Sequence, residues 1–107
     1  MAEVAKVVRE AAGWDVSLCI DHFGHGYMTA KEVIRLGKAL EPYGLAWMED
    51  PMPWSDIDGH LEVTRAINVP TAAGEELYLW DGFREMIEKR AVDIIHPDLL
   101  TSGGMLE

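Results

Sequence analysis

An acidic residue follows each of four short apolar runs, and this recurrence strongly constrains the fold. The residues are Asp21 after VSLCI, Glu49 after LAWM, Glu75 after PTAAG and Asp98 after VDIIHP. They are 28, 26 and 23 residues apart (49 − 21, 75 − 49 and 98 − 75). Each interval is about one strand, one crossover helix and two loops of a parallel α/β fold. Because active sites form where the carboxyl ends of parallel strands share a face, the spacing predicts one acidic cluster. An oxygen-rich cluster suits a hard cation such as Mg²⁺.

The pattern of apolar residues predicts alternating helices and strands. Helices are expected over 2–12, from 29 to about 40, over about 57–67 and around 83–87, and strands over 16–20, 45–48, 71–73 and 92–95. In the first helix, an apolar stripe of Val4, Val7, Val8 and Ala11 is expected to face inward, with Arg9 outside it. Thr29 and Glu32 match a capping box at the start of the second helix.

The order of these elements predicts a parallel α/β sheet. Right-handed crossovers place consecutive strands side by side in chain order. A parallel sheet needs helices on both faces or closure into a barrel. Four strands without a reversal of order are typical of half of a (β/α)₈ barrel, whose usual length is about 250 residues. The fold class predicted here is therefore α/β, a partial TIM barrel of about four consecutive βα units.

Composition narrows the possible environments and partners. The chain of 107 residues has a net charge of −10, which disfavours binding to nucleic acid or anionic membranes. No segment has the length and apolar character of a membrane span, and the amino end does not resemble a secretory signal. The single cysteine, Cys19, cannot form an internal disulfide and is expected to be buried in a strand. We therefore expect a cytoplasmic protein.

Several segments together resemble one family. They are Ile20–Asp21, the run WMEDP that contains Glu49, the run GEE that contains Glu75, and the run HPD that ends at Asp98 and is followed by Gly103–Gly104. These segments are similar to the mandelate racemase/muconate lactonizing enzyme group of the enolase superfamily. The resemblance implies a Mg²⁺ ion bound by Asp21, Glu49 and Glu75. It also implies that residues 1–107 are a central fragment of the barrel domain, without the capping domain and the remaining strands.

The resemblance also suggests catalytic residues. Asp98 matches an Asp that, in the mandelate-racemase-like branch, orients a catalytic His from the next strand, which here would lie beyond Glu107. The family's Lys base would fall upstream of Met1. Several acid-sugar dehydratases of the family place a His acid two residues after the first metal-binding Asp, where this chain has Phe23. His25, and less favourably His22, are the candidates for that acid, whereas His96 and Trp47 are expected to be packed.

Three functions follow as expectations. The first is that the parent enzyme is a Mg²⁺-dependent dehydratase of sugar acids, which removes the proton alpha to a carboxylate and expels a β-hydroxyl, and that the present chain is inactive alone. The second is a racemase or epimerase of the same family. The third is a half-barrel that binds metal without catalysis. Because a half-barrel exposes two strand edges and apolar surface, self-association or pairing with the missing barrel half is also expected.

Any single one of the four acidic residues, taken alone, would more simply be a helix cap or a solvated loop residue.

Overall fold

The computed structural model describes residues 1–21 and 28–106 and contains the predicted alternation of helices and strands. The helices are α1 (Ala2–Ala12), α2 (Ala30–Leu40), α3 (Ile57–Ala66) and α4 (Leu79–Lys89), and a short 3₁₀ turn (Glu41–Tyr43) follows α2. The strands are β1 (Leu18–Asp21), β2 (Leu45–Glu49), β3 (Thr71–Ala73) and β4 (Ile94–Ile95). Among the described residues, no helix has both the length and the apolar character that crossing a membrane requires.

The four strands form one parallel sheet in the order β1-β2-β3-β4, which confirms the predicted topology. Asp21 of β1 is paired with Glu49 of β2, and Glu49 is paired with Ala72 of β3. On the other side of β3, Ala73 is paired with Ile95 of β4. Because the strands are parallel, their carboxyl ends lie together along one side of the sheet, which we call its carboxyl edge. This half-barrel places the acidic residues after each strand along that edge.

Helices cover the sheet and bury two apolar clusters. The larger cluster fills the space between α2, α3 and the first strands, and includes Val33, Leu40, Met48, Val63 and Ile67. A second cluster lies under α4 and includes Ala73, Leu77, Phe83, Met86 and Ala91. Burying side chains of this size stabilises the fold by about 1.5–3 kcal/mol each relative to leaving them exposed. The packed helices thereby fix the positions of the strand ends.

The orientation of α1 differs from the prediction. Val4, Val7 and Val8 are exposed, whereas Arg9 is 5% exposed and buried on the opposite side. The Arg9 guanidinium donates hydrogen bonds to four backbone carbonyls, those of Gly13, Val16, Tyr43 and Gly44, at 2.7–3.1 Å. Five N–H donors in a planar fork suit several carbonyls at once. These hydrogen bonds hold the Arg9 face of α1 against the rest of the chain. The apolar stripe therefore lies on the opposite, exposed face of the helix.

The hydrogen bonds of Arg9 also shorten the first strand. Strand β1 begins at Leu18 rather than at the predicted Val16, because the Val16 carbonyl accepts from Arg9.

The prediction for Cys19 was also wrong, since this residue is exposed. Burial alternates along β1, with Leu18 and Ile20 on the more buried face. Successive side chains of a strand point to opposite faces, so Cys19 lies on the open one.

Helix α2 begins as predicted, with a capping box. The Thr29 side chain accepts from the backbone of Glu32, and the Glu32 carboxylate accepts from the Thr29 backbone N–H at 2.8 Å. These reciprocal bonds satisfy two of the backbone donors that helix starts leave unpaired. They also hold the pKa of Glu32 below its usual value, chiefly through the Thr29 backbone bond.

Gly37 permits the close approach of α2 to Ile67, which follows α3. A Cβ at this position would lie 2.8 Å from both Cδ1 and Cγ2 of Ile67. We expect Gly37→Ala to destabilise the fold by about 1–2 kcal/mol, because overpacking of about 1–3 kcal/mol outweighs the gain in helix propensity of about 1 kcal/mol. Urea unfolding measures this. In an Ile67→Ala background the same change should become neutral or stabilising; an equal cost in both backgrounds contradicts the steric explanation.

His60 in α3 gives the fold a predictable pH dependence. The residue is fully buried, and neither ring nitrogen makes a hydrogen bond to the described residues. Burial lowers the pKa of His60, an effect that the negative charge of Asp56 partly offsets. The unfolded chain therefore takes up a proton below pH 6.5 that the folded chain resists.

We expect the unfolding free energy to be insensitive to His60 above about pH 6.5 and to fall as the pH is lowered through the range below it. His60→Leu should remove this part of the dependence. The measurement is urea unfolding of both proteins from pH 5 to pH 8, with the difference between the two curves isolating His60. Parallel curves across that range would show that His60 does not resist protonation in the fold.

Candidate metal centre

Three potential metal ligands converge at the carboxyl edge of the sheet. Ligand atoms of Glu49, Glu75 and His96 all lie within 4.8 Å of one another. Glu49 is the last residue of β2, Glu75 is two residues past β3, and His96 directly follows β4. Each side chain therefore comes from the end of a different, neighbouring strand. This arrangement is typical of a centre assembled by a parallel sheet rather than by one local loop.

The backbone hydrogen bonds hold these strand ends together. The Asp50 N–H donates to the Ala72 carbonyl at 2.8 Å, and the His96 N–H donates to the Ala73 carbonyl at 3.0 Å. Between Ala73 and Glu75, Gly74 has a φ of +132°, and a Cβ there would lie 3.0 Å from Phe83 and 3.5 Å from the His96 backbone N. A glycine is required at this exit from β3 because a side chain has neither the conformation nor the space.

The two oxygens of Glu49 have different neighbours. Oε2 accepts a hydrogen bond from Trp47 Nε1 at 2.9 Å, and Oε1 lies 3.0 Å from Nδ1 of His96. Trp47 and Glu49 are two residues apart in β2, so they lie on the same face of the strand. The expectation that Trp47 is simply packed missed this role. The indole fixes the rotation of the carboxylate and leaves Oε1 on the side of Glu75 and His96.

We expect Trp47→Phe to weaken divalent cation binding by about 10-fold, the lower end of the range for removing a partner that orients a metal ligand. Phenylalanine keeps the aromatic ring but has no N–H donor. Calorimetric titration with Mg²⁺ gives the affinity. Trp54→Phe is the matched control, since Trp54 is exposed. Equal affinities for all three proteins would show that the indole does not position Glu49.

His96 contributes to the centre, which the sequence did not predict. Its Nδ1 is buried and makes no hydrogen bond to the described residues, although Glu49 Oε1 is only 3.0 Å away. A buried nitrogen at ion-pair distance from a carboxylate, without the geometry of a hydrogen bond, suits two ligands that point at one cation. Two carboxylates and an imidazole are all ligands of divalent cations. The donor set therefore fits such an ion.

Electrostatics extend the cluster beyond these three residues. Burial, followed by the charges of Glu75, Glu49, Asp21 and Glu76, raises the pKa of Asp50 to about 6. Three of the four recurring acidic residues thus act on one neighbouring carboxylate, as the strand spacing predicts. Asp50 has a φ of +43°, a conformation that Asp tolerates better than most residues. A cation bound at this edge would offset the negative potential that raises the pKa of Asp50.

The other predicted site residues are placed less centrally. Asp21 is the register partner of Glu49 but is not one of the three described residues whose ligand atoms converge. Its role as a ligand stays a prediction. The carboxylate of Asp98 accepts from the Leu100 N–H at 2.8 Å, so one oxygen stabilises the turn after β4. Its proposed partnership with a histidine also stays a prediction. His22 and His25 lie outside the described residues.

Comparison with known proteins identifies the family. A family model described as "Enolase C-terminal domain-like" matches residues 1–107. The chain belongs to this family. It is 39% identical over 105 residues to a D-xylonate dehydratase from Haloferax volcanii, covering 98% of this chain and 25% of that protein. It is 38% identical over 104 residues to a D-galactarolactone cycloisomerase from Agrobacterium fabrum, covering 97% of this chain and 27% of that protein.

A solved structure shares the fold. The crystal structure of an enolase from Bradyrhizobium, complexed with magnesium and mandelic acid, superposes with a TM-score of 0.88 at 34% identity. The superposition covers 94% of this chain and 27% of that one. This enolase-superfamily chain thus spans about a quarter of the length of the relatives it matches. The resemblance read from the strand-end motifs is confirmed.

Proposed function

We propose that this chain supplies the metal-binding strands of a Mg²⁺-dependent dehydratase that acts on sugar acids. The observation that carries the proposal is the convergence of Glu49, Glu75 and His96 at the carboxyl edge of the sheet in a member of this family. The dehydratase name of a relative 39% identical to the chain supports it. So does the magnesium and mandelic acid complex of a structural neighbour, because mandelic acid is a carboxylic acid.

The chemistry requires a strong stabilisation of negative charge. Removal of a proton alpha to a carboxylate leaves an enediolate, and loss of the β-hydroxyl as water gives an enol, which takes up a proton at carbon 3 to become a 2-keto-3-deoxy acid. A bound divalent cation would supply Lewis acidity to the substrate carboxylate as that charge develops. For enolase-superfamily sites, a Lys or His base with Mg²⁺ is the general pattern, and it is carried over here by family membership.

This chain's own residues would hold and orient the components. Glu49 and Glu75, together with Asp21, would hold the cation, and Trp47 would keep the Glu49 carboxylate in position. Asp98 would orient a histidine that acts on the alpha proton. His25 or His22 would donate a proton to the departing hydroxyl. General acids and bases of this kind contribute typically about 10²–10⁴-fold each.

Two alternatives share part of this chemistry. A racemase or epimerase removes the same alpha proton but returns one to carbon instead of expelling a hydroxyl, and the cycloisomerase among the relatives shows that the family name alone does not fix the outcome. A chain that binds metal without catalysis is the other alternative. The reaction products separate these three cases.

Because the resemblance places the catalytic bases outside residues 1–107, the test incubates the longer parent enzyme with Mg²⁺ and a set of aldonic and aldaric acids in D₂O. Formation of a 2-keto-3-deoxy acid, detected by its semicarbazone, supports the dehydratase. Deuterium incorporation at the alpha carbon without loss of water indicates a racemase or epimerase and overturns the dehydratase proposal. The matched control is the triple variant Asp21→Asn/Glu49→Gln/Glu75→Gln, which should be inactive in both readouts. Cation binding without either reaction points to the non-catalytic alternative.

We further propose that the 107-residue chain associates with a second copy or with the rest of a barrel. Large apolar side chains are exposed both on α1, at Val4 and Val7, and beyond β4, at Leu99, Leu100 and Met105. These apolar surfaces, together with the unpaired outer strands β1 and β4 of the sheet, favour association. The solution mass by light scattering tests this, because a concentration-independent mass of 12.0 kDa contradicts it.

A further inference from the structure

We propose that His96 is a ligand of the same cation as Glu49 and Glu75, so that this centre favours transition metal ions such as Ni²⁺ over Mg²⁺ more than carboxylates alone would. The inference rests on the proposed metal centre but names a residue and a selectivity that the family's Asp–Glu–Glu set does not include. Three observations carry it: the contact of the His96 Nδ1 with Glu49, the fixed position of the His96 backbone and the orientation of the Glu49 carboxylate.

The first observation is distance without a hydrogen bond. Nδ1 of His96 and Oε1 of Glu49 are 3.0 Å apart, yet no hydrogen bond joins this buried nitrogen to any described residue. Two ligands bound to one cation at right angles, each at about 2.1 Å, lie about 3.0 Å apart and point at the ion rather than at each other. The pair therefore has the separation of two ligands of one ion.

The second observation is that the fold fixes the His96 backbone at the end of β4. The His96 backbone N–H is bonded to the Ala73 carbonyl, and Pro97 follows directly. Proline fixes its own φ and restricts the residue before it to an extended conformation. A Cβ on Gly74 would lie 3.5 Å from the His96 backbone N, so the glycine leaves room for the exits of β3 and β4 to lie side by side. The imidazole therefore extends from the end of β4, beside the carboxylates.

The third observation is the arrangement of the carboxylates. Trp47 occupies Oε2 of Glu49, so Oε1 is the oxygen left facing His96 and Glu75. Imidazole nitrogen suits Ni²⁺, Zn²⁺ and similar ions, whereas an all-oxygen set suits Mg²⁺. Adding one nitrogen to two carboxylates moves the preference toward transition metals. The preference for Ni²⁺ over Mg²⁺ should therefore change when His96 is substituted.

The experiment compares the affinities for Ni²⁺ and Mg²⁺ in the full chain and in His96→Gln by calorimetric titration. Glutamine keeps an oxygen donor of similar reach but has no imidazole. We expect the ratio of Ni²⁺ to Mg²⁺ affinity to fall by about 10–100-fold, and Mg²⁺ affinity alone to change by less than about threefold. A ratio unchanged by the substitution overturns the inference while leaving the metal centre intact.

A spectroscopic readout tests nitrogen coordination directly. With Mn²⁺ bound, pulsed electron paramagnetic resonance should show ¹⁴N modulation from a coordinated imidazole in the wild-type chain, and none in His96→Gln. The double variant His22→Gln/His25→Gln is the matched control and should keep the modulation. Since this control retains His96, it does not depend on the folding of the His96 variant. Modulation that survives in His96→Gln but disappears in the double variant assigns the nitrogen elsewhere and overturns the inference.

The failure of this inference is distinguishable from failure of the proposed function. If the wild-type chain binds Mg²⁺ but Mn²⁺ shows no ¹⁴N modulation, only the role of His96 is lost. If none of Mg²⁺, Mn²⁺ and Ni²⁺ binds, the metal centre itself is absent from the chain, and both proposals fail together.

Discussion

Glu49→Gln is expected to lower the Mg²⁺ affinity of the chain by about 100-fold or more, exceeding the 10–100-fold effect typical of residues that only support a ligand. The substitution removes the charge but keeps an oxygen that accepts from Trp47. Glu49 is partly exposed at the end of β2 and contributes no side chain to the apolar clusters. The unfolding free energy without metal should therefore change by less than about 1 kcal/mol.

Calorimetric titration and urea unfolding of the same preparations separate binding from folding. Glu62→Gln is the matched control, because Glu62 is an exposed residue on α3 and the substitution changes the net charge equally. If Glu49→Gln and Glu62→Gln bind Mg²⁺ with the wild-type affinity, the assignment of Glu49 as a ligand is wrong. A large loss of stability in Glu49→Gln alone would instead show that the carboxylate supports the sheet edge.

Arg9→Met is expected to destabilise the fold by about 3 kcal/mol or more, since it removes four hydrogen bonds of a buried guanidinium, and hydrogen bonds to charged groups contribute about 1.5–3 kcal/mol each. The guanidinium satisfies carbonyls from three places along the chain: the end of α1, the segment before β1 and the turn after α2. It also lies 4.9 Å from the centre of the Trp14 ring. Methionine fills much of the volume but donates no hydrogen bond.

Two variants control for charge and for helix position. Arg9→Lys keeps the charge and should recover only part of the stability, because an ammonium cannot reach four carbonyls in the geometry of the planar fork. Lys6→Met removes a charge from an exposed position of the same helix and should cost less than about 0.5 kcal/mol. Chemical denaturation gives all three values. A cost below about 1 kcal/mol for Arg9→Met would mean that water replaces the guanidinium without penalty.

The elements of the fold could be predicted where the signal is local. The period of apolar residues located the four helices, and β3 occurs over the predicted residues 71–73. The capping box at Thr29 is a contact between residues three apart, so it is visible in the sequence itself. The spacing of the acidic residues predicted a parallel sheet in chain order because each interval holds one strand and one crossover.

The contacts that build the site could not be predicted in the same way. Trp47 and His96 look like packed residues in the sequence, because an indole in an apolar run and a histidine before proline have no local signature of a ligand or its support. A two-residue interval between Trp47 and Glu49 was available as a signal, since it places both on one face of a strand. His96 offered none, as its neighbour Glu49 is 47 residues away (96 − 49).

The sequence by itself determined the family, the order of helices and strands, and the acidic character of the carboxyl edge of the sheet. These follow from periodicity, strand-end motifs and spacing along the chain. Only the tertiary structure decided which face of α1 is buried, which side chains meet at the edge, and that a histidine joins two glutamates there. The physical reason is that these outcomes depend on hydrogen bonds and packing between residues distant in sequence, such as Arg9 with Gly44 and Glu49 with His96.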